Sequence, residues 1–241
     1  MMLDDILASL FPGGHAISRE GGMLHGQAAL VSGQVIQVIG VSDRTAVGVD
    51  EAVLLAGKVL AVVDRGDRTP ILVLIDSDSQ RMSKRDELLG LNECLAHLAK
   101  CLILADTLDH PTIGLLYGYT AAGAFIATAL ATRTLVALPG AEPAVMDLPS
   151  MARVTKLPLE VLQEKSRTTA VFAPGLANLT QTGAVAGTFD PARSLSEQLS
   201  DVLRQSTTGS DRRDQWGKQR GGRPKAADIA ERVYGLARAG L

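Results

Sequence analysis

PILVLIDSDSQ (residues 70–80) and TIGLLYGYTAAGAF (residues 112–125) share one pattern, a short apolar run that empties into small and polar residues. A continuous aliphatic run bounded by turn-forming residues reads as a strand buried on both faces. The spacing predicts strands over 71–75 and 112–117, followed by helices over 83–108 and 121–131, and a third strand over 134–138 that stops at Pro139-Gly140. Strands alternating with helices imply an α/β architecture with a parallel sheet, and right-handed crossovers bring both turns to one sheet edge. Backbone N–H groups then meet at a strand end and a helix N-terminus, where partial positive charge accumulates. That arrangement suits a developing oxyanion.

Working outward, LHGQAALVSGQVIQVIGV (residues 24–41) holds two β-rich runs around Ser32-Gly33-Gln34, a hairpin signal. Residues 50–64 carry apolar side chains at helical spacing, with Asp50 as the expected N-cap. Beyond Gly140 the pattern loosens. Residues 149–165 read as mostly helical with Pro158 opening a second part, Phe172-Ala173-Pro174-Gly175 as a turn, and 183–189 as a weak strand. Ser194 and Glu197 stand at capping-box spacing ahead of a helix expected to run to Gln205. Residues 206–223 read as a polar, basic linker, and 224–240 as a last helix that opens on a proline. The whole chain, 1–241, is expected to form a single domain.

Apolar residues make up 46% of the 241 and charged residues 21%, a globular composition long enough for a substantial core. Aromatics are only 3%, so aliphatics and alanine must fill that core. A formal net charge of −2 gives no general electrostatic case for nucleic acid or an anionic membrane. The start, MMLDDILASLFP, is acidic where a signal peptide would be basic, and no run approaches the ~18 apolar residues of a spanning helix. A soluble, cytoplasmic protein is the expectation. Cys94 and Cys101 fall on one helical face, separated by roughly 10 Å of rise, beyond disulfide reach, and read as core thiols. His15, His25, His97 and His110 lie far apart in the chain and suggest no metal site.

A glycine-containing hairpin, an Asp-Glu-Ala helix, a P-x-x-x-L-I-D strand and turn, a long helix and then Y-G-x-x-x-A-G-A-F resemble the acyl-CoA carboxyltransferases of the crotonase superfamily. More narrowly, RMSKRDELLGLNECLAHLAK (81–100), LPSMARVTKLPLEVL (148–162), VFAPG and RGGR resemble the malonate decarboxylase gamma subunits. The first turn departs from the D-T-P-G common among carboxyltransferases, reading Asp76-Ser77-Asp78-Ser79, and the second retains one glycine of its closing tripeptide. The resemblance implies a crotonase-like spiral of ββα units of the carboxyltransferase subunit type. It also implies an obligate β-subunit partner, an acyl-carrier protein whose phosphopantetheine arm bears the malonyl thioester, and an acyltransferase subunit that exchanges malonate for acetate. No cofactor on this chain is expected.

Loss of CO2 from a malonyl thioester moves charge onto the thioester oxygen, so the chemistry calls for hydrogen-bond donors rather than a metal. Backbone N–H groups of Ala122, Gly123 and Ala124 are the first candidates, against the plainer reading that small residues let a helix pack close to the sheet. Ser77, Asp78 and Ser79 form either a second donor turn or merely a capped one. Gln80 and Arg81 are candidates for the substrate carboxylate, and Tyr117 and Tyr119 for substrate contact or a partner interface. The basic run 212–225, with the single Trp216 inside it, is read as a solvated linker or a surface for a phosphate or an acidic carrier. A carboxyltransferase half serving biotin and a non-catalytic scaffold for the β subunit are the competing readings.

Overall fold

The computed structural model describes residues 1–170, 173–206 and 211–240. Phe172 of the expected turn and residues 207–210 of the expected linker lie outside the described residues. The chain forms two compact units, residues 1–145 with 188–209 and residues 146–187 with 210–241.

The first unit opens with helix α1 (Leu3–Leu10), then strands β1 (His15–Glu20), β2 (Met23–Ala29) and β3 (Val35–Val47), and helix α2 (Val49–Val63). Strand β4 (Ile71–Gln80) leads into α3 (Lys84–Leu88) and α4 (Leu91–Thr107). Strands β5 (Thr112–Leu116) and β6 (Tyr119–Ala121), helix α5 (Ala122–Phe125) and a π-helical turn over Ile126–Leu130 follow, then β7 (Thr134–Ala137) and β8 (Glu142–Ala144). The second unit supplies α6 (Leu148–Thr155), α7 (Leu159–Thr168) and α8 (Leu176–Gln181). After β9 (Gly187–Thr188) and α9 (Leu195–Ser206) in chain order come α10 (Arg213–Gln219) and α11 (Ala226–Ala239).

Among the described residues seven strands make one sheet in the order β1-β2-β3-β4-β5-β7-β9. β1, β2 and β3 pair antiparallel, and β3, β4, β5 and β7 parallel. The hairpin falls where Ser32-Gly33-Gln34 placed it, with Ala29 opposite Val35. β1 was not foreseen, because an edge strand with nearly every side chain exposed carries no apolar alternation to read. The core is aliphatic as the composition required: Ile36, Ile39, Leu72, Leu74 and Ile75 from the sheet are buried with Leu55 and Leu102 from the covering helices. Phe125 adds one of the few large aromatics.

Three sequence readings are corrected. Asp50 is not the cap of α2; Gly48 is, because the Glu51 carboxylate accepts the Gly48 N–H at 2.9 Å and Asp86 accepts that of Val49 at 2.8 Å. The single long helix expected over 83–108 is two, interrupted at Gly90, whose φ of +83° no interior helical residue adopts. The stretch read as a linker contains helix α10.

Candidate active site

β4 continues as a strand through the segment expected to turn. Ser77 and Gln80 still pair with Thr45 and Val47 of β3, across register shifts between Val41 and Thr45 and between Thr45 and Val47, so pairing overrides the low strand preference of Ser and Asp. β5, by contrast, leaves β4 after the Ile75–Leu116 pair. Its chain bends through Gly118 and enters the short β6–β8 pair, in which Tyr119 lies opposite Glu142 and Ala121 opposite Ala144. A side chain at Gly118 would bring its Cβ within 2.2 Å of Asp76 Oδ1, so only glycine lets that carboxylate close over the bend.

Three hydrogen bonds lace the two segments together, each between residues 43 apart in sequence. The Tyr119 N–H donates to Asp76 Oδ1 at 3.1 Å, the Ser77 and Thr120 hydroxyls share a bond of 2.7 Å, and the Gly123 N–H donates to Gln80 Oε1 at 2.8 Å. Ser77 and Thr120 are fully buried, so their hydroxyls face the interior rather than a substrate. Gly123 is one residue inside α5, and a Cβ there would stand 3.1 Å from Gln80 Oε1 and 3.0 Å from Leu95. Ala122, before it, carries the left-handed φ of +50°, while Ala124 is buried beneath. The Thr128 hydroxyl bonds back to the Ala124 carbonyl at 2.7 Å, an i−4 bond at the point where α5 widens into a π turn.

The remaining candidates are distributed around this junction. Asp78 is exposed and accepts the Ser79 N–H, and the Ser79 hydroxyl donates to the Gln80 carbonyl. Arg81 turns to α2, where it pairs with Glu51 at 2.6 Å. Beside it, the buried Asp86 carboxylate is held below its usual range first by the Ser83 hydroxyl and then by the Val49 N–H, with Arg81 and Arg85 adding to the effect. The Tyr117 hydroxyl donates to the Val41 carbonyl at 3.3 Å. Burial, reinforced by Asp76 and Asp43, raises its pKa far enough that the phenol stays protonated. The Tyr119 ring is covered by the Arg44 guanidinium at 4.2 Å, from a bulge where Asp43 and Arg44 both adopt positive φ.

A pocket of about 180 Å³ adjoins the junction, lined by Asp76, Tyr117, Gly118, Arg19, Asp43 and the chain's first residues. It is smaller than the ~300 Å³ at which ordinary ligand pockets begin. A larger cavity of about 320 Å³ lies at the opposite end of the strands, beside Pro70 and Pro111, and its arginines pair with Asp106 and Asp109. Among the described residues no group of three or more His, Cys, Asp or Glu side chains could hold a metal ion, and no helix is long and apolar enough to cross a membrane.

The model of the malonate decarboxylase gamma subunit family matches residues 42–237. The chain belongs to that family. Malonyl-S-ACP:biotin-protein carboxyltransferase MADD of Malonomonas rubra is 29% identical over 167 residues, a match covering 64% of this chain and 57% of the relative, little more than half its length. Among solved structures, a Pseudomonas malonate decarboxylase hetero-tetramer in complex with coenzyme A superposes with a TM-score of 0.79 at 24% identity, over 98% of each chain. The transcarboxylase 12S core superposes at 0.70 with 17% identity, over 86% of this chain and 41% of that one. The fold is therefore the crotonase-like α/β spiral of the carboxyltransferases.

Within this gamma-family chain, the second unit accounts for motifs outside the junction. Arg220 donates to the carbonyls of Thr180, Val185 and Ala186, each at 2.8 Å. Arg223 donates to those of Thr182 and Arg213 at 2.8 and 3.2 Å. Arg213 pairs with Asp211, and Lys218 with Asp228 at 2.5 Å. RGGR is thus a clamp on the loop after α8, and the run expected to be a solvated linker or an anion surface has most of its cations engaged. Sequence reasoning missed Asp76 and Thr120 as junction residues, because their partners lie 43 positions away and no local pattern marks them.

Proposed function

We propose that this chain works with a β-subunit partner to remove CO2 from a malonyl thioester carried on the phosphopantetheine arm of an acyl-carrier protein. The bond between Cα and the carboxylate breaks, CO2 leaves, and its electron pair passes through Cα to the thioester oxygen as an enolate. A proton from water or a partner group then gives the acetyl thioester, and a separate acyltransferase subunit reloads the carrier with malonate. The observation that carries this reading is the Gly123 N–H, which donates at 2.8 Å to an amide oxygen at the start of α5. That bond joins the backbone of α5 and the Gln80 carboxamide in one polar site, and a single donor directed from such a site at the enolate oxygen contributes about 100- to 1000-fold in rate. Ala122 and Ala124 shape the same backbone turn. Asp76 and Ser77 hold it in place, and Asp78 and Ser79 border it.

Family membership supports the malonyl substrate, and the small pocket on this chain fits a site completed by a second subunit. The name of the Malonomonas relative favours a second reading, in which the same enolate forms but the carboxyl group passes to biotin. Both are tested by measuring CO2 release from malonyl-carrier thioester by this chain alone and with its co-expressed β partner, each with and without avidin. Release that needs the partner and ignores avidin is expected. Loss with avidin supports the biotin reading, and silence in every sample defeats both.

A further inference from the structure

Resting on the reading above, we infer that the Gln80 carboxamide is the group that touches the thioester oxygen, and that the Gly123 N–H positions it. Only the oxygen of a carboxamide can accept from a backbone N–H, so the 2.8 Å bond from Gly123 fixes which way the amide faces. With Oε1 held, the Nε2 group and its two N–H donors turn away from α5. Their sole other partner among the described residues is the weakly accepting Met82 Sδ at 4.0 Å, on a side chain that is 79% exposed. Gln80 itself is half-buried, packed where a Cβ on Gly123 would press against it at 3.1 Å. A donor group is thus held at one end by the backbone, with hydrogen-bonding capacity open at the other.

Charge determines which substrate atom this donor serves. The malonyl carboxylate loses its charge as CO2 departs, so a donor placed there stabilises the ground state and opposes reaction. The thioester oxygen gains charge, and a neutral amide directed at it favours the transition state. Arg81, the cation next in sequence, is held by Glu51 and leaves this position to an uncharged donor. Polarisation by the Gly123 N–H also makes the amide a stronger donor at its nitrogen end.

Turnover of malonyl-carrier thioester by the complex with its β partner is compared for wild type, Gln80→Ala and the isosteric Gln80→Glu. Co-purification with the partner checks assembly. Glutamate keeps an acceptor for the Gly123 N–H but presents a negative oxygen where the N–H groups stood, so kcat is expected to fall about 100-fold or more near neutral pH. Protonating that oxygen restores a donor, so Gln80→Glu turnover relative to wild type should climb about tenfold per pH unit as pH falls towards the carboxyl pKa of about 4.3. A packing role predicts no such recovery. Gln80→Ala should lose about 100-fold in kcat.

Wild-type turnover in Gln80→Glu without pH dependence overturns the inference. So does an effect confined to KM, or an improved Gln80→Ala, which would make the carboxamide an occupant that substrate displaces. Should the alanine variant fail to assemble, the glutamate variant decides alone. Inactivity of the wild-type complex defeats the decarboxylase reading, and this inference falls with it.

Discussion

The junction of β4 with β6 and α5 and the clamp built by α10 are both polar, and they use polarity in opposite directions. At the junction, side chains of β4 receive backbone N–H groups: Asp76 from Tyr119 and Gln80 from Gly123. In the clamp, Arg220 and Arg223 give their guanidinium N–H groups to backbone carbonyls. The first arrangement leaves a carboxamide end whose sole partner among the described residues is the Met82 thioether. The second directs Arg220 onto three carbonyls and converts positive charge into internal structure. A basic run on paper therefore says less about ligand binding than the donors that remain once the folded chain has satisfied itself.

If the comparison holds, damage to the junction should appear in turnover and damage to the clamp in stability. The largest effect is expected from Gly123→Pro. Proline has no N–H to hold Gln80 Oε1, yet the first turn of a helix tolerates it, so turnover should fall at least about 100-fold while the complex stays assembled. Single-turnover CO2 release, with size-exclusion of the complex, measures both. Retained turnover would return this chain to the role of a scaffold.

The mirror experiment is Arg220→Met, which keeps much of the side-chain volume and removes the donors. Three carbonyls lose a charged partner, and because these bonds are partly solvated the cost should be about 2–3 kcal/mol. Urea unfolding and limited proteolysis should register the loss in the second unit. A variant as stable as wild type would mean that water replaces the guanidinium there without penalty.

A smaller effect separates holding the junction together from serving it. Ser77→Ala leaves the Thr120 hydroxyl buried without its 2.7 Å partner and should cost about 1–2 kcal/mol. Replacing both, Ser77→Ala with Thr120→Val, should cost less than the sum of the single changes, since no polar group is then stranded. Additive losses in denaturant titrations would deny the pair any coupling.

How much of this could be read in advance differs between the same regions. The strand cores at 71–75 and 112–116 and the hairpin were legible because their apolar periods are local. β6 and β8 were not, at three residues each, too short for any period to register. The polar tail of β4 reads as a turn because Ser and Asp favour turns, whereas pairing with Thr45 and Val47 holds it extended. Gln80 and Gly123 each stand out as candidates in the sequence, but their bond spans 43 residues and belongs to the tertiary structure. RGGR was visible as a motif, but its acceptors are backbone carbonyls, which every residue carries and no sequence advertises.

The smallest expected effect concerns the one alanine that does what glycine ordinarily would. Within Ala-Ala-Gly-Ala, the left-handed φ of +50° falls on Ala122, while at 123 a Cβ would press on the ends of the Gln80 and Leu95 side chains at 3.1 and 3.0 Å. A Cβ in that conformation costs roughly 1 kcal/mol, and glycine removes it at the expense of a more flexible unfolded chain. Ala122→Gly should therefore be neutral or stabilising by up to about 1 kcal/mol, where glycine in an ordinary helix interior destabilises by a similar amount. Its turnover should stay within about threefold of wild type, because the Gly123 N–H and the carboxamide it holds are untouched. A clear loss of stability would show that Ala122 relaxes out of the left-handed region in solution. The path by which α5 presents Gly123 to Gln80 would then differ from the one described.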